Sequence, residues 1–398
     1  MHGYLPRLAE PELARALARS PAAVILGPRQ CGKSTLAKHW IGTRDAVYLD
    51  LQDRMDRARL AEPELFFEHH RDRLVCLDEI QLLPGFFSAL RSEIDRDRRP
   101  GRFLILGSAS RDLIRQANES LAGRIAQLEL TPFLLPEVAP IADWKALWVR
   151  GGFPDSLTAV DERDSFDWRQ DFILTFLERD IPALGLAIPM PLMERLWRLL
   201  AHYQGQTLNY SKLAGILDLS VPTLKRYLAV LEQTYMVRLL PPFDANLKKR
   251  LVRSPKLYLR DSGILHGLLE IEGFDGLLAH PQVGESWEGF VIEQLLAVMP
   301  RWRPSYLRTS NGAELDLVLE RGQRQLVFEI KLSKAPQPSR GFHELVGDLQ
   351  PEAATVIAPV DAPYEQRRGV WVMGLGDALA RWGEVALPPV AQFAPGKA

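Results

Sequence analysis

The stretch Ala23-Val-Ile-Leu-Gly-Pro-Arg-Gln-Cys-Gly-Lys-Ser34 decides how the rest of the chain is read. Its first four residues form an apolar run short enough for a buried strand. Residues 27–34 then match G-x-x-x-x-G-K-[ST], and Ser34 to Trp40 opens a helix. Strand, glycine-bearing loop and helix together build a phosphate cradle: backbone N–H groups at a helix mouth, an ammonium group and a hydroxyl ligand for a cation. Gly27, Pro28, Arg29, Gln30, Cys31, Gly32, Lys33, Ser34 and Thr35 are the expected nucleotide-binding residues. Lys33 reaches the β and γ phosphates, and Ser34 ligates Mg2+.

Moving outward, Leu74-Val-Cys-Leu-Asp-Glu79 is a second apolar strand that ends in two carboxylates. Adjacent carboxylates at the edge of a buried strand are costly unless a cation meets them. Asp78 is therefore expected to hold the magnesium shell, with Glu79 polarising the attacking water. A further strand, Phe103-Leu-Ile-Leu106, ends in Gly107-Ser108-Ala109-Ser110, which makes Ser108 either a polar sensor at the sheet edge or a turn residue. Arg124 is a candidate arginine finger, with Arg111 and Arg115 behind it, each acting most naturally across a subunit interface. An ordinary surface arginine is the alternative.

Strand-like runs at 23–26, 46–50, 74–78, 103–107 and 125–130 alternate with helical or loop segments, which predicts a parallel α/β sheet. The expected divisions are an ATPase core over 1–135, a helical lid and connector over 136–189, a winged helix over 190–265, a nuclease-like α/β domain over 281–385 and a flexible tail over 386–398. A chain of 398 residues, 46% hydrophobic, has the material for several cores. Because 49 Lys and Arg nearly balance 50 Asp and Glu, any nucleic-acid surface has to be local. Two cysteines, Cys31 and Cys76, give neither a disulfide framework nor a zinc spacing, so a reducing cytoplasm is expected. No apolar run approaches the roughly eighteen residues of a membrane span, so no membrane partner is expected.

Between Thr207 and Leu240 the pattern is a helix-turn-helix: one short helix over 211–217, a turn at Asp218-Leu-Ser220, and a second helix over 221–234. Leu224, Leu228 and Leu231 form its apolar stripe, leaving Thr223, Lys225 and Arg226 outward. Two strands, 236–240 and 256–259, read as a wing whose connection carries Lys248, Lys249, Arg250 and Arg253. That cluster suits a phosphate backbone, and a solvated loop on a packing module is the alternative. Further on, Glu288 lies in a helix predicted over 284–299, Asp316 in a strand, and Glu329-Ile-Lys331 in the next, with a hairpin through Arg321-Gly322 between them. Two carboxylates and a lysine can hold a second divalent cation and activate water for phosphodiester attack. Glu293 is an alternative first acid. An exposed strand face with alternating charges is the simpler reading.

Taken in order, Gly27-Pro-Arg-Gln-Cys-Gly-Lys-Ser34, Leu77-Asp-Glu-Ile80, Leu106-Gly-Ser108, Leu121-Ala-Gly-Arg124, Gly151-Gly-Phe-Pro154, Glu178-Arg-Asp180, Asp261-Ser-Gly263 and Glu314-Leu-Asp316 resemble the prokaryotic AAA-type ATPases that carry a C-terminal domain of unknown function. The resemblance implies an ATPase core using ATP and Mg2+, a winged helix, a PD-(D/E)xK nuclease-like fold, and assembly as a homo-oligomer, commonly a hexameric ring. Leu315 departs from the nuclease pattern, which often has proline there. Three functions follow as expectations: a motor that remodels DNA, branched DNA such as a Holliday junction included; an ATP-regulated DNA endonuclease; and an ATP-state switch for a protein partner.

Overall fold

The computed structural model describes residues 3–83, 85–108, 121–184, 188–244 and 251–384, the side chain of Ser108 excepted. They divide into two compact units, one of residues 1–133 with 233–235 and one of the remainder.

The first unit is built on a parallel sheet in the order β2-β3-β4-β1-β5. Its strands are β1 (Ala22–Gly27), β2 (Ala46–Asp50), β3 (Leu74–Asp78), β4 (Phe103–Ser108) and β5 (Ile125–Glu129). All six residues of β1 are buried, as a strand covered on both faces requires, and the uniformly apolar Ala-Ala-Val-Ile-Leu-Gly sequence reflects that. In β4, Ile105 is the register partner of both Val24 in β1 and Leu77 in β3. The phosphate loop after β1 and the carboxylates after β3 therefore leave the sheet at the same edge, one strand apart, where open α/β sheets bind ligands. One face is filled by Leu49, Phe67, Leu77, Leu90 and Phe103, among others. This is the α/β class and parallel core that the strand alternation predicts.

In the second unit, helices α1 (Trp144–Arg150), α2 (Glu162–Thr175) and α3 (Ser262–Leu268) pack around Arg169, whose side chain is fully buried. Its guanidinium donates to the carbonyls of Ser165, Val149, Gly263, Ile271 and Glu272. Burial pulls its pKa down to about 10. After Thr175 the chain makes a π-helical turn, Phe176–Asp180, and a last helical turn, Ile181–Ala183. The helical path thus runs through Pro182, which stands in the first turn of the final piece, where its missing N–H costs nothing.

Two of the motifs quoted above meet here. Asp261 caps α3 by accepting from Ile264 N at 2.9 Å, and its other oxygen accepts from Gly152 N at 2.8 Å. A Cβ on Gly263 would sit 2.1 Å from the Arg150 carbonyl oxygen, and one on Gly151 would sit 2.3 Å from Asp261 Oδ1. Gly151-Gly152 and Asp261-Ser-Gly263 are thus the two halves of one backbone clasp.

Next come α4 (Tyr210–Ile216) and α5 (Val221–Gln233), followed by the antiparallel pair β6 (Val237–Leu240) and β7 (Lys256–Leu259). Asn209 caps α4 through Lys212 N, and Ser220 caps α5 through Thr223 N. The C-terminal part is a mixed sheet ordered β12-β13-β11-β10-β9-β8. It comprises β8 (Arg303–Arg308), β9 (Glu314–Arg321), β10 (Arg324–Ile330), β11 (Ala353–Ile357), β12 (Tyr364–Arg367) and β13 (Val370–Met373). Helix α6 (Val283–Val298) precedes it, and β9 and β10 form the hairpin predicted through Arg321-Gly322. No described helix is long and apolar enough to cross a membrane.

Candidate functional site

At the end of β1 the chain turns through Gln30 and Gly32, both at positive φ (61° and 99°), and enters the helix Lys33–Ile41. Gly27 is fixed by space: a Cβ there would stand 2.2 Å from the Leu130 carbonyl oxygen. Lys33 is 6% exposed and its Nζ donates to the carbonyls of Gly27 at 3.1 Å and Pro28 at 2.7 Å. The ammonium is folded back on the carbonyls of its own loop. Pro28 and Cys31 are buried, Arg29, Gly32 and Ser34 are half-buried, and Gln30 and Thr35 are exposed. Cys31 packs its thiol on the Leu130 carbonyl, a structural position. Sequence reading missed Arg7, whose buried guanidinium donates to Cys31 O at 2.9 Å and Thr131 O at 2.7 Å and so fastens the loop to the chain that follows β5. A lone arginine 20 residues ahead of the motif carries no local signal.

At the end of β3, Asp78 is 3% exposed. Its Oδ2 accepts from the Tyr48 hydroxyl at 2.5 Å, whereas Oδ1 is buried with no hydrogen-bond partner among the described residues. A buried, unpartnered carboxylate oxygen is a costly feature that a bound cation would relieve, so Asp78 fits a metal shell. Glu79 follows at φ 58°, a left-handed conformation uncommon for glutamate, and accepts from Gln81 Nε2. Strain of this kind gathers at functional positions. Tyr48 gave no sequence signal because it lies on β2, with Asp50 rather than Tyr48 as the register partner of Asp78.

Arg124 forms a two-pronged ion pair with Asp95, at 2.9 and 2.8 Å, and donates to Ala122 O. Its guanidinium is thus committed within its own chain. Arg111 and Arg115, the Ser108 side chain, and Lys248, Lys249 and Arg250 lie outside the described residues.

On the second unit, Lys225, Arg226 and Arg253 are exposed. Lys225 Nζ lies 4.9 Å from the centroid of the Tyr210 ring, Arg226 covers Tyr227, and Thr223 shares a hydroxyl contact of 2.9 Å with Ser220. The acidic residues of the C-terminal part do converge. Lys331 Nζ is 2.7 Å from Glu329 Oε1 and 3.9 Å from Asp316 Oδ2, which also accepts from Ile330 N. Glu288 joins them, and Glu293 does not: its carboxylate is bound by Arg238 and Arg260.

At this cluster, sequence reading also missed Lys256. It enters the cluster from β7, 2.9 Å from Glu288 Oε1, in contact with Glu314 and 4.0 Å from Asp316 Oδ1. Among the described residues, no group of three or more His, Cys, Asp or Glu is arranged to hold a metal ion. Nothing among the described residues supports the second divalent cation at this cluster.

A serine and a histidine also meet. His266 Nδ1 faces the Val149 carbonyl at 2.9 Å and therefore carries the proton, so Nε2 accepts from Ser286 Oγ at 2.7 Å, and Ser286 in turn accepts from Trp148 Nε1. Ser286 and His266 are 1% and 0% exposed. This is a core relay of hydrogen bonds sealed from substrate.

Comparison with known proteins places an AAA domain on residues 19–139, a domain of unknown function (DUF8612) on 141–275 and a domain of unknown function (DUF4143) on 283–377. The chain is 43% identical over 353 residues to the uncharacterized protein Rv2008c of Mycobacterium tuberculosis and, to the same extent, to the uncharacterized protein Mb2031c of Mycobacterium bovis, covering 89% of this chain and 80% of each relative. Among solved structures, a Walker-type ATPase of Pyrococcus abyssi aligns with TM-score 0.46 and 16% identity over 66% of this chain and 95% of its own. A signal-transduction ATPase with a tetratricopeptide-repeat sensor from Pyrococcus horikoshii aligns with TM-score 0.30 and 13% identity over 74% and 46%. A P-loop motif on a five-stranded parallel sheet, inside a matched AAA domain and with a 43% identical relative, shows that the chain belongs to the Rv2008c family and carries an AAA-type P-loop domain.

Proposed function

We propose that the protein is a Mg2+-dependent ATP-hydrolysing motor or switch of AAA type that binds and remodels DNA. The observation that carries the reading is the pairing of a buried, unpartnered Asp78 oxygen with the folded-back Lys33 ammonium at one edge of the sheet. Backbone N–H groups of residue 27 and residues 29–35 cradle the phosphates, and Lys33 exchanges its loop carbonyls for phosphate oxygens. Ser34 and Asp78 would hold Mg2+, which would supply charge neutralisation at the phosphates. Glu79 accepts the proton of the attacking water, held in place through Gln81. Arg124, released from Asp95, serves a neighbouring copy in a homo-oligomeric ring.

The exposed Lys225, Arg226 and Arg253 support the DNA half of the reading, since cations on a recognition helix and beside a two-stranded wing meet phosphates. The test is ATP turnover against single-stranded, duplex and branched DNA, with solution mass recorded with and without ATP. Stimulation by DNA and an ATP-dependent rise in mass are expected. Turnover indifferent to every DNA, together with no binding at low salt, would overturn the DNA assignment and leave the ATPase standing.

A further inference from the structure

Lys256 is only 2% exposed, yet its ammonium has a full set of neighbours. Glu288 Oε1 is 2.9 Å away, Glu314 is in contact, Asp316 Oδ1 is at 4.0 Å, and the Tyr306 ring centroid is at 5.5 Å. Two residues along the same strand, and so on the same face, Tyr258 donates its hydroxyl to the same Glu288 oxygen. Lys256 is fixed at its backbone as well, paired with Leu240 on β6 and bridged to Thr207. The ammonium is delivered from outside the C-terminal sheet, between α6 and β9, into the place where the carboxylates converge.

Charge gives the second argument. Glu288, Glu314, Asp316 and Glu329 meet three cationic side chains, Lys256, Lys331 and Arg308, the last 3.5 Å from Glu314. The three cations thus offset all but one of the four carboxylate charges without any metal ion. A divalent ion takes oxygen ligands at about 2.0–2.6 Å, and here it would share a dry pocket with an ammonium group that already holds Glu288 and Glu314, with Glu329 Oε2 the buried oxygen left without a hydrogen-bond partner among the described residues.

We propose that Lys256 is the resident cation of the C-terminal carboxylate cluster, standing where a divalent metal would act, so that this part of the chain is a metal-free module locked onto β7 and does not cleave DNA. Lys331 then neutralises Glu329 and has no water to activate. The lock is reciprocal: the carboxylates need Lys256, and β7 with its wing is held against the sheet by them.

Mn2+ serves as the probe, with bound ion counted by electron paramagnetic resonance on the full-length, nucleotide-free protein carrying Asp78→Asn to silence the phosphate site. No bound Mn2+ is expected, and none in the Asp78→Asn/Asp316→Asn protein either. An ion bound by the first and lost from the second would overturn the proposal. Lys256→Met removes the resident cation and should gain one Mn2+ per chain, lost again on adding Glu329→Gln. A folded Lys256→Met protein that takes up no Mn2+ would equally overturn it. Should that variant fail to fold, the first pair of proteins decides alone.

Discussion

The Tyr48 hydroxyl donates to Asp78 Oδ2 at 2.5 Å from the neighbouring strand, holding the carboxylate while its other oxygen has no hydrogen-bond partner among the described residues. Burial, and next the hydrogen bond to Asp78, raise the phenol far above its usual pKa, so it stays a donor at every working pH. Partners that orient a metal-binding carboxylate are worth about 10–100-fold in metal affinity. Tyr48→Phe is therefore expected to raise the Mg2+ concentration for half-maximal ATP turnover by about tenfold, with excess Mg2+ restoring the rate. Titrating Mg2+ at fixed ATP checks it, and an unchanged midpoint would remove Tyr48 from the metal shell.

Lys33 and Glu79 separate binding from turnover. Lys33→Ala is expected to abolish nucleotide binding, whereas Glu79→Gln keeps binding and loses about 10²–10⁴ in rate. Fluorescent-nucleotide binding alongside phosphate release reads the two steps. Normal turnover in Glu79→Gln would move the base elsewhere.

Asp95 restrains Arg124. Hydrogen bonds from Arg124 and Arg98 hold the Asp95 carboxyl down at about 2. The pair's stabilising effect is thus present above the ordinary carboxylate range and is lost only as pH falls through about 2. If Arg124 serves a neighbouring copy, Arg124→Ala lowers turnover by about a thousandfold, and Asp95→Ala, which frees it, does not. Equal turnover in Arg124→Ala and the unaltered protein would assign the finger to another arginine.

His266 makes the second unit acid-sensitive. Burial holds its pKa down at about 3, against an ordinary value of 6.5. Below 6.5 the unfolded chain takes up a proton that the folded core refuses, so stability present above 6.5 drains away until pH reaches about 3. The full span is on the order of a few kcal/mol. His266→Gln should flatten the dependence of Tm on pH across that window while lowering Tm at neutral pH, as thermal melts from pH 7 to 4 will show.

Gly263→Ala drives a methyl group onto the Arg150 carbonyl, 2.1 Å away. A loss of roughly 3 kcal/mol in stability is expected, with Gly284→Ala, which meets nothing within 4 Å, as the control. Urea melts measure it.

What was legible in the sequence follows physical range. The strands of the first sheet could be read because β1, β3 and β4 are buried on both faces and write that into consecutive apolar residues. The positions of α5, α6 and the β9–β10 hairpin could be read for the same local reason: period and turn residues lie within a few positions of each other. Tyr48, Arg7 and Lys256 could not, since each acts on a group 24 to 32 residues away or more, and a single polar residue in a strand announces nothing about which carboxylate or carbonyl it will face. The convergence of Glu288, Asp316 and Glu329 was anticipated, but its occupant was not.

The buried guanidinium of Arg169 carries a consequence for how the molecule is made. Its carbonyl partners lie 4, 20, 94, 102 and 103 residues away. During synthesis the first two emerge with it, but the rest follow only after Gly263, Ile271 and Glu272 leave the ribosome. Until then a charged group is without most of the acceptors that make its dehydration tolerable. The helices around it are thus expected to stay loose while the intervening segment is translated and to set together once residue 272 is free, the long loops between partners making that closure slow.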